Sequence, residues 1–237
     1  MVKKVNWPSE IPQIERPYYS TVAFADFVSR CGGFLDDTEV FDIGTGIGAN
    51  LHYFVQERPG VRFIGGDYNP EKVRQAEEVA AQRDAPLSFV TADWFNLPGE
   101  YRGRFDGIIN IHTLCCFKHV APAIDALCAL EPRWIAFNSL FYEGPLDVLI
   151  HIRDHDNPAI GDANPDGDFN IFSLQEVRRV FGKHGYQVVA EPFYPPERLP
   201  RPAGGARGTY TASTEWHERT QFSGPVHLPW WFLFASK

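Results

Sequence analysis

Residues Val40 to Leu51 read V-F-D-I-G-T-G-I-G-A-N-L, a short apolar run that breaks into glycines at alternate positions, Gly44, Gly46 and Gly48. The run suits a buried strand, and the glycines suit a tight turn whose φ angles are closed to other residues. From Ala49 to Arg58, apolar residues recur at Leu51, Phe54 and Val55 before Pro59 and Gly60 intervene, which predicts a helix. Strand, turn and helix make half of a βαβ unit. A bare backbone and the unpaired N–H groups of a helix start then admit a ligand at close range.

Gly44, Gly46 and Ala49 also satisfy G-x-G-x-x-[GA], so a nicotinamide or flavin dinucleotide is one reading of the turn. Asp42 argues for another. A carboxylate two residues ahead of the first glycine repels a pyrophosphate but suits a ligand with an ammonium group.

Working outward, Val61 to Gly65 reads as a second strand, and Asn69, Pro70 and Glu71 form a helix start of cap, N1 proline and first-turn acid. Asp67 falls at that strand's carboxyl end, where an acid can accept hydrogen bonds from ribose hydroxyls. A third strand, Leu87 to Thr91, runs into Asp93, Trp94 and Phe95. A fourth, Phe105 to His112, has Asn110 to Thr113 as its tip. Core packing would account for the aromatics but does not ask for Asp93.

This order of signals, D-x-G-x-G-x-G, then an acid, then an acid, then F-D-G-I-I-N, resembles the class I S-adenosylmethionine-dependent methyltransferases. The resemblance spans residues 40–139 in motif and 173–237 in layout. It implies a seven-stranded, mostly parallel Rossmann-like α/β sheet, the seventh strand antiparallel and beside the fifth, with helices on both faces. It further implies that Asp42, Gly44, Gly46 and Gly48 line the amino-acid end of S-adenosylmethionine, Asp67 holds the ribose, and Asp93 with Trp94 holds the adenine. Asn110 to Thr113 would lie beneath the reactive sulfur. His112, with an ordinary pKa of about 6.5, becomes the candidate general base, ahead of His119, His151 and Tyr142.

Around this core, residues 1–17 read as an extended arm with Pro8, Pro12 and Pro17. Tyr19, Ala23, Phe24, Phe27, Val28 and Cys31 share a helical face ended by Gly32 and Gly33. A helix from His119 to Leu130 and a fifth strand from Arg133 to Asn138 lead into an insertion over 139–170. There Asp162, Asn164, Asp166 and Asp168 copy half an EF-hand loop, but Ser173 replaces the closing glutamate, so no metal is expected. Ser173 and Glu176 instead predict a capping box for a helix over Leu174 to Lys183. Tyr186 to Pro192 and Trp230 to Ala235 read as the sixth and seventh strands. Residues 193–229, rich in proline, arginine and aromatics, read as a cap or flap for the acceptor, a mixture suited to an acidic ring.

The 237 residues suit one domain. A formal net charge of −8 disfavours nucleic acid and favours a small-molecule substrate. No apolar run approaches a membrane span, and the N-terminus lacks the apolar core of a signal peptide, so a cytoplasmic protein is expected. The four cysteines lack metal spacing and read as reduced and mostly buried. The expected activity is methyl transfer to an oxygen or nitrogen of a small molecule. The rivals are an NAD(P)-dependent oxidoreductase and a non-catalytic S-adenosylmethionine-binding protein.

Overall fold

The computed structural model describes residues 11–153, 166–201 and 209–237. A one-turn helix α1 (Ile11–Glu15) replaces the extended chain expected there, and α2 (Tyr19–Arg30) follows. β1 (Glu39–Ile43), α3 (Ala49–Glu57), β2 (Arg62–Asp67), α4 (Pro70–Gln82) and β3 (Ser88–Thr91) form the first half. β4 (Gly107–Ile111), α5 (Val120–Cys128) and β5 (Trp134–Tyr142) continue it, with β5 running four residues past its expected end at Asn138. The short strands β6 (His151–Arg153), β7 (Asp166–Asp168) and β8 (Phe172–Ser173) precede α6 (Leu174–Lys183) and β9 (Gln187–Pro192). Last come β10 (Thr209–Ala212), β11 (Thr220–Ser223), β12 (Val226–His227) and β13 (Trp230–Ser236).

The main sheet runs β3-β2-β1-β4-β5-β13-β9, with β8 added beside β5. Pairings among β1 to β5 are parallel, and β13 is antiparallel to both its neighbours. This is the seven-stranded order expected, plus a two-residue strand. Every residue of β1 and of β4 is buried, because helices cover both faces of a parallel sheet. On one face, α2, α3 and α4 supply Phe24, Val28, Leu51, Phe54, Val73 and Ala76 to a core with Phe63 and Trp134. On the other, α5 and α6 supply Ile124, Leu127, Val177 and Phe181 to a core with Ile108 and Phe137. Each such side chain contributes about 1.5–3 kcal/mol by leaving water.

The ends of the elements follow local chemistry. The Asn69 side chain accepts the Glu71 N–H at 3.0 Å and starts α4. Ser173 accepts the Glu176 N–H at 3.3 Å, but its own N–H goes to Asp147, and Glu176 holds Arg179. Half of the expected capping box therefore forms. Of the EF-hand-like run, Asp166 to Asp168 lie in β7, paired antiparallel to β6, and the rest falls outside the described residues. In the flap, β10, β11 and β12 build a small antiparallel sheet. A third apolar cluster, Cys115, Leu140, Ile171, Leu228 and Trp230, joins the flap and the insertion to the sheet.

No cysteine is in a disulfide; Cys115 and Cys128 are buried, Cys31 is half-buried, and Cys116 is exposed. No helix among the described residues is long and apolar enough to cross a membrane.

Candidate active site

The glycine turn sits where β1 leaves the sheet, and Gly44, Gly46 and Gly48 all have positive φ, at 79°, 61° and 75°. Space matters there too. A Cβ on Gly44 would stand 2.6 Å from Thr113 Oγ1, and one on Gly48 would stand 2.6 Å from the Phe89 ring. The Gly44 and Thr45 N–H groups donate to Gly66 O at 2.7 and 3.0 Å, pinning the loop to β2.

Two buried acids hold this loop. Asp67 Oδ2 accepts the Gly46 N–H at 2.9 Å, and its Oδ1 accepts the Asn69 N–H at 3.0 Å. Asp67 therefore braces the loop as well as offering its remaining lone pairs to a ligand. Asp42 Oδ2 accepts from Thr45 Oγ1 at 2.8 Å, while its Oδ1 is buried without a partner among the described residues. Burial pushes the Asp42 carboxyl up to about 7; the Thr45 hydrogen bond opposes this and the charge of Asp67 adds to it. An orphaned carboxylate oxygen under a positive-φ loop fits a cationic ligand better than a pyrophosphate.

At the next strand ends, Asp93 is exposed and accepts the Phe95 N–H at 3.0 Å. Trp94 departs from its expected place. It is only 5% exposed, its indole N–H donates to Ala123 O at 2.9 Å, and its ring meets Phe117 edge-on. The indole thus packs under α5. The exposed rings near Asp93 are Phe95, at 54%, and Tyr68, at 76%, which follows Asp67 directly. Because Asp67 pairs with Thr91, both rings leave adjacent strands at one end of the sheet. Tyr68 was not singled out in the sequence, although an aromatic directly after a strand-end acid was the available signal.

Asn110 also differs from expectation. It is 0% exposed, its Nδ2 donates to Ile43 O, and its Oδ1 accepts the Leu114 N–H at 2.9 Å. With both ends of its amide used, it ties the exits of β1 and β4 together. Thr113, next to it, donates to Gly44 O at 3.3 Å.

His112 takes the left-handed φ of 69°, uncommon outside glycine. Its N–H donates to Asn138 O at 2.9 Å, its ring centroid lies 4.3 Å from that of Trp230, and Nε2 lies 3.1 Å from Asn138 Nδ2. Burial pushes its pKa down to about 4, so the expected titration near neutral pH is not what this environment gives. Elsewhere, no group of three or more His, Cys, Asp or Glu among the described residues is placed to hold a metal ion.

A mostly parallel sheet of this order, with a glycine turn, two buried acids and an exposed acid at the ends of its parallel strands, defines a doubly wound α/β fold that takes its ligand outside the strands' carboxyl ends. The methyltransferase domain family matches residues 35–201, and the chain belongs to it. It is an S-adenosylmethionine-dependent methyltransferase.

Among solved structures it is similar to magnesium protoporphyrin IX methyltransferase from Synechocystis PCC 6803 with bound S-adenosylhomocysteine. The TM-score is 0.56 at 14% identity, over 100% of this chain and 90% of that one. That enzyme was also solved with S-adenosylmethionine. The 1,6-didemethyltoxoflavin-N1-methyltransferase of Burkholderia thailandensis gives a TM-score of 0.56 at 16% identity, over 96% of this chain and 82% of that one. A Galdieria sulphuraria structure named for a sarcosine dimethylglycine methyltransferase gives 0.54 at 14% identity, over 73% of this chain. The match spans only 62% of that chain's length. No curated protein matches the chain in sequence.

Proposed function

We propose that the protein transfers a methyl group from S-adenosylmethionine to an oxygen or nitrogen of a small-molecule acceptor in the cytoplasm. The observation that carries this reading is the gathering of Asp42, Asp67 and His112 at one end of a parallel sheet, the last with its ring tilted against that of Trp230. The cofactor supplies a methyl already activated on a sulfonium. The chain's residues bind, orient and exclude water.

Asp42 places negative charge beneath the loop of Gly44, Gly46 and Gly48, which receives the amino-acid end. Asp67 takes the ribose hydroxyls with the lone pairs left over from Gly46 and Asn69. Asp93 takes the adenine amino group, with Tyr68 and Phe95 as the rings beside it. Trp94 and Asn110 act from behind, as packing and as a tie. His112 and Trp230 face the acceptor beneath the flap, whose Tyr210 carries Arg201 at 5.3 Å and whose Trp216 is 73% exposed. The flap therefore suits a ring with an acidic group. The solved relatives named for porphyrin and toxoflavin methylation support a small ring-bearing acceptor.

Calorimetry with S-adenosylhomocysteine and with NAD tests the cofactor. Saturable heat on the first and none on the second is expected, and the reverse ends the reading. Metabolite extracts supplied with S-adenosylmethionine should then release S-adenosylhomocysteine. Binding without turnover on any extract would leave a non-catalytic protein.

A further inference from the structure

His112 is gripped at two points by one residue. Asn138 O accepts its backbone N–H at 2.9 Å, and Asn138 Nδ2 stands 3.1 Å from its ring Nε2. Asn138 is itself 0% exposed and fixed in register, opposite Ile111 on β4 and Phe232 on β13. An amide nitrogen only donates, so in this pairing Nε2 holds the lone pair and the ring proton sits on Nδ1. The opposite amide orientation would aim Oδ1 at Nε2–H. It would also put the NH2 group where Oδ1 now lies buried without a partner among the described residues. The observed orientation leaves one N–H and Oδ1 unused, the opposite one leaves both N–H groups unused, and a buried unpaired donor is the costlier of the two. The assignment of the amide, and with it the tautomer, follows from that comparison.

We propose that Asn138 is a positioning residue that fixes His112 as the Nδ1–H tautomer, so that His112 gives a hydrogen bond to the methyl acceptor instead of taking its proton. The inference rests on the methyltransferase reading above and deepens it. It names an acceptor class: an acid already ionised in solution, with one oxygen for the methyl and another for Nδ1–H, as a carboxylate has. In the transfer, a lone pair of the acceptor oxygen forms the bond to the methyl carbon, and the electrons of the carbon–sulfur bond return to sulfur. No proton passes to the protein. The arginines and aromatics of the flap suit the same charge.

The test is a long-range proton–nitrogen correlation spectrum of protein labelled with 15N-histidine, with and without S-adenosylhomocysteine. The chain has 8 histidines; His112 is identified by the signal lost in His112→Gln. Should that variant not fold, the contact of the ring with the Trp230 indole identifies it. The expected signature is a protonated Nδ1 and a bare Nε2, constant from about pH 6 to 9. In Asn138→Asp, whose carboxylate only accepts, the pattern should invert to Nε2–H. A bare Nδ1 in the wild-type protein, rapid exchange between tautomers, or no inversion in a folded Asn138→Asp would each overturn the proposal. Failure to bind S-adenosylhomocysteine would be seen separately, and would overturn the methyltransferase reading without altering the ring's signature.

Discussion

The Asp67 carboxylate accepts the Gly46 N–H at 2.9 Å, so the acid that ends β2 holds the middle of the loop that ends β1. Its other oxygen holds the first residues before α4 through the Asn69 N–H. A residue read as a ribose ligand is thus also the fastening of the loop that a ligand must meet.

Asp67→Ala should therefore weaken S-adenosylhomocysteine binding at least tenfold and also lower the unfolding free energy. Each hydrogen bond to a charged group is worth about 1.5–3 kcal/mol. Calorimetry and urea denaturation check the two effects. An unchanged dissociation constant with normal circular dichroism would remove Asp67 from the site.

Asp42 gives a pH dependence with a defined sign. An unfolded aspartate titrates near 3.8, and burial, against the Thr45 hydrogen bond, takes the folded carboxyl to about 7. The folded state binds this proton more tightly, so the contribution to stability is full below about 3.8 and is lost as pH rises to about 7. Asp42→Asn should abolish that part of the loss and be the more stable protein at pH 8. A cationic ligand favours the ionised form, so binding of S-adenosylhomocysteine near pH 7 should release a proton. Binding heats that do not depend on the buffer's ionisation heat would refute the release.

For His112 the sign is reversed. Burial takes its pKa from 6.5 to about 4, so stability is full above the first value and is lost as pH falls through the second. His112→Gln should retain cofactor affinity and lose at least about tenfold in rate at saturating acceptor, the worth of about one charge-assisted hydrogen bond. The shape of the rate profile between about pH 6 and 9 should persist in the variant, because the ring stays neutral there. A wild-type rate in His112→Gln would leave proximity as the better account.

Trp94→Phe separates packing from binding. It removes the indole N–H that donates to Ala123 O, and about 1 kcal/mol of stability should go with it, the typical net worth of such a bond. Affinity for S-adenosylhomocysteine should stay within about twofold, since the indole faces α5. A large loss of affinity with unchanged stability would return Trp94 to the adenine site.

The flap is tested by deleting residues 201–209, which removes Arg201 from the Tyr210 ring. Cofactor affinity should be kept while the KM for the acceptor rises. Unaltered acceptor affinity and turnover in an active assay would end the substrate role of this segment.

Much of this architecture was legible because it is written in local signals. Gly44, Gly46 and Gly48 announced a turn of positive φ, Asn69 announced a helix start, and the acids at positions 67 and 93 marked strand ends in sequence order. What stayed hidden depends on which way a side chain turns and what lies across the sheet. Trp94 and Phe95 are neighbours of similar chemistry, and only the packing of α5 decides which is buried. Asn110 was placed beneath the sulfur by the resemblance alone; its partners, Ile43 and Leu114, come from β1 and the following turn. Asn138 could not be connected to His112 without the register of β4 against β5. The small sheet of the flap escaped notice because its strands are two to four residues long.

The place of β13 carries a consequence for how the molecule comes into being. Residues 42–113, which carry the glycine loop and the strand-end acids, leave the ribosome long before Trp230 does. N-terminal parts of a chain generally fold first during synthesis. Yet β13 is the bridge between β5 and β9, so the growing protein carries one bare edge on β5 and a stranded β9 until β13 arrives. Bare edges invite pairing with other chains. The contact of the Trp230 ring with His112 therefore forms only after both strands that carry the glycine loop and its acids have left the ribosome.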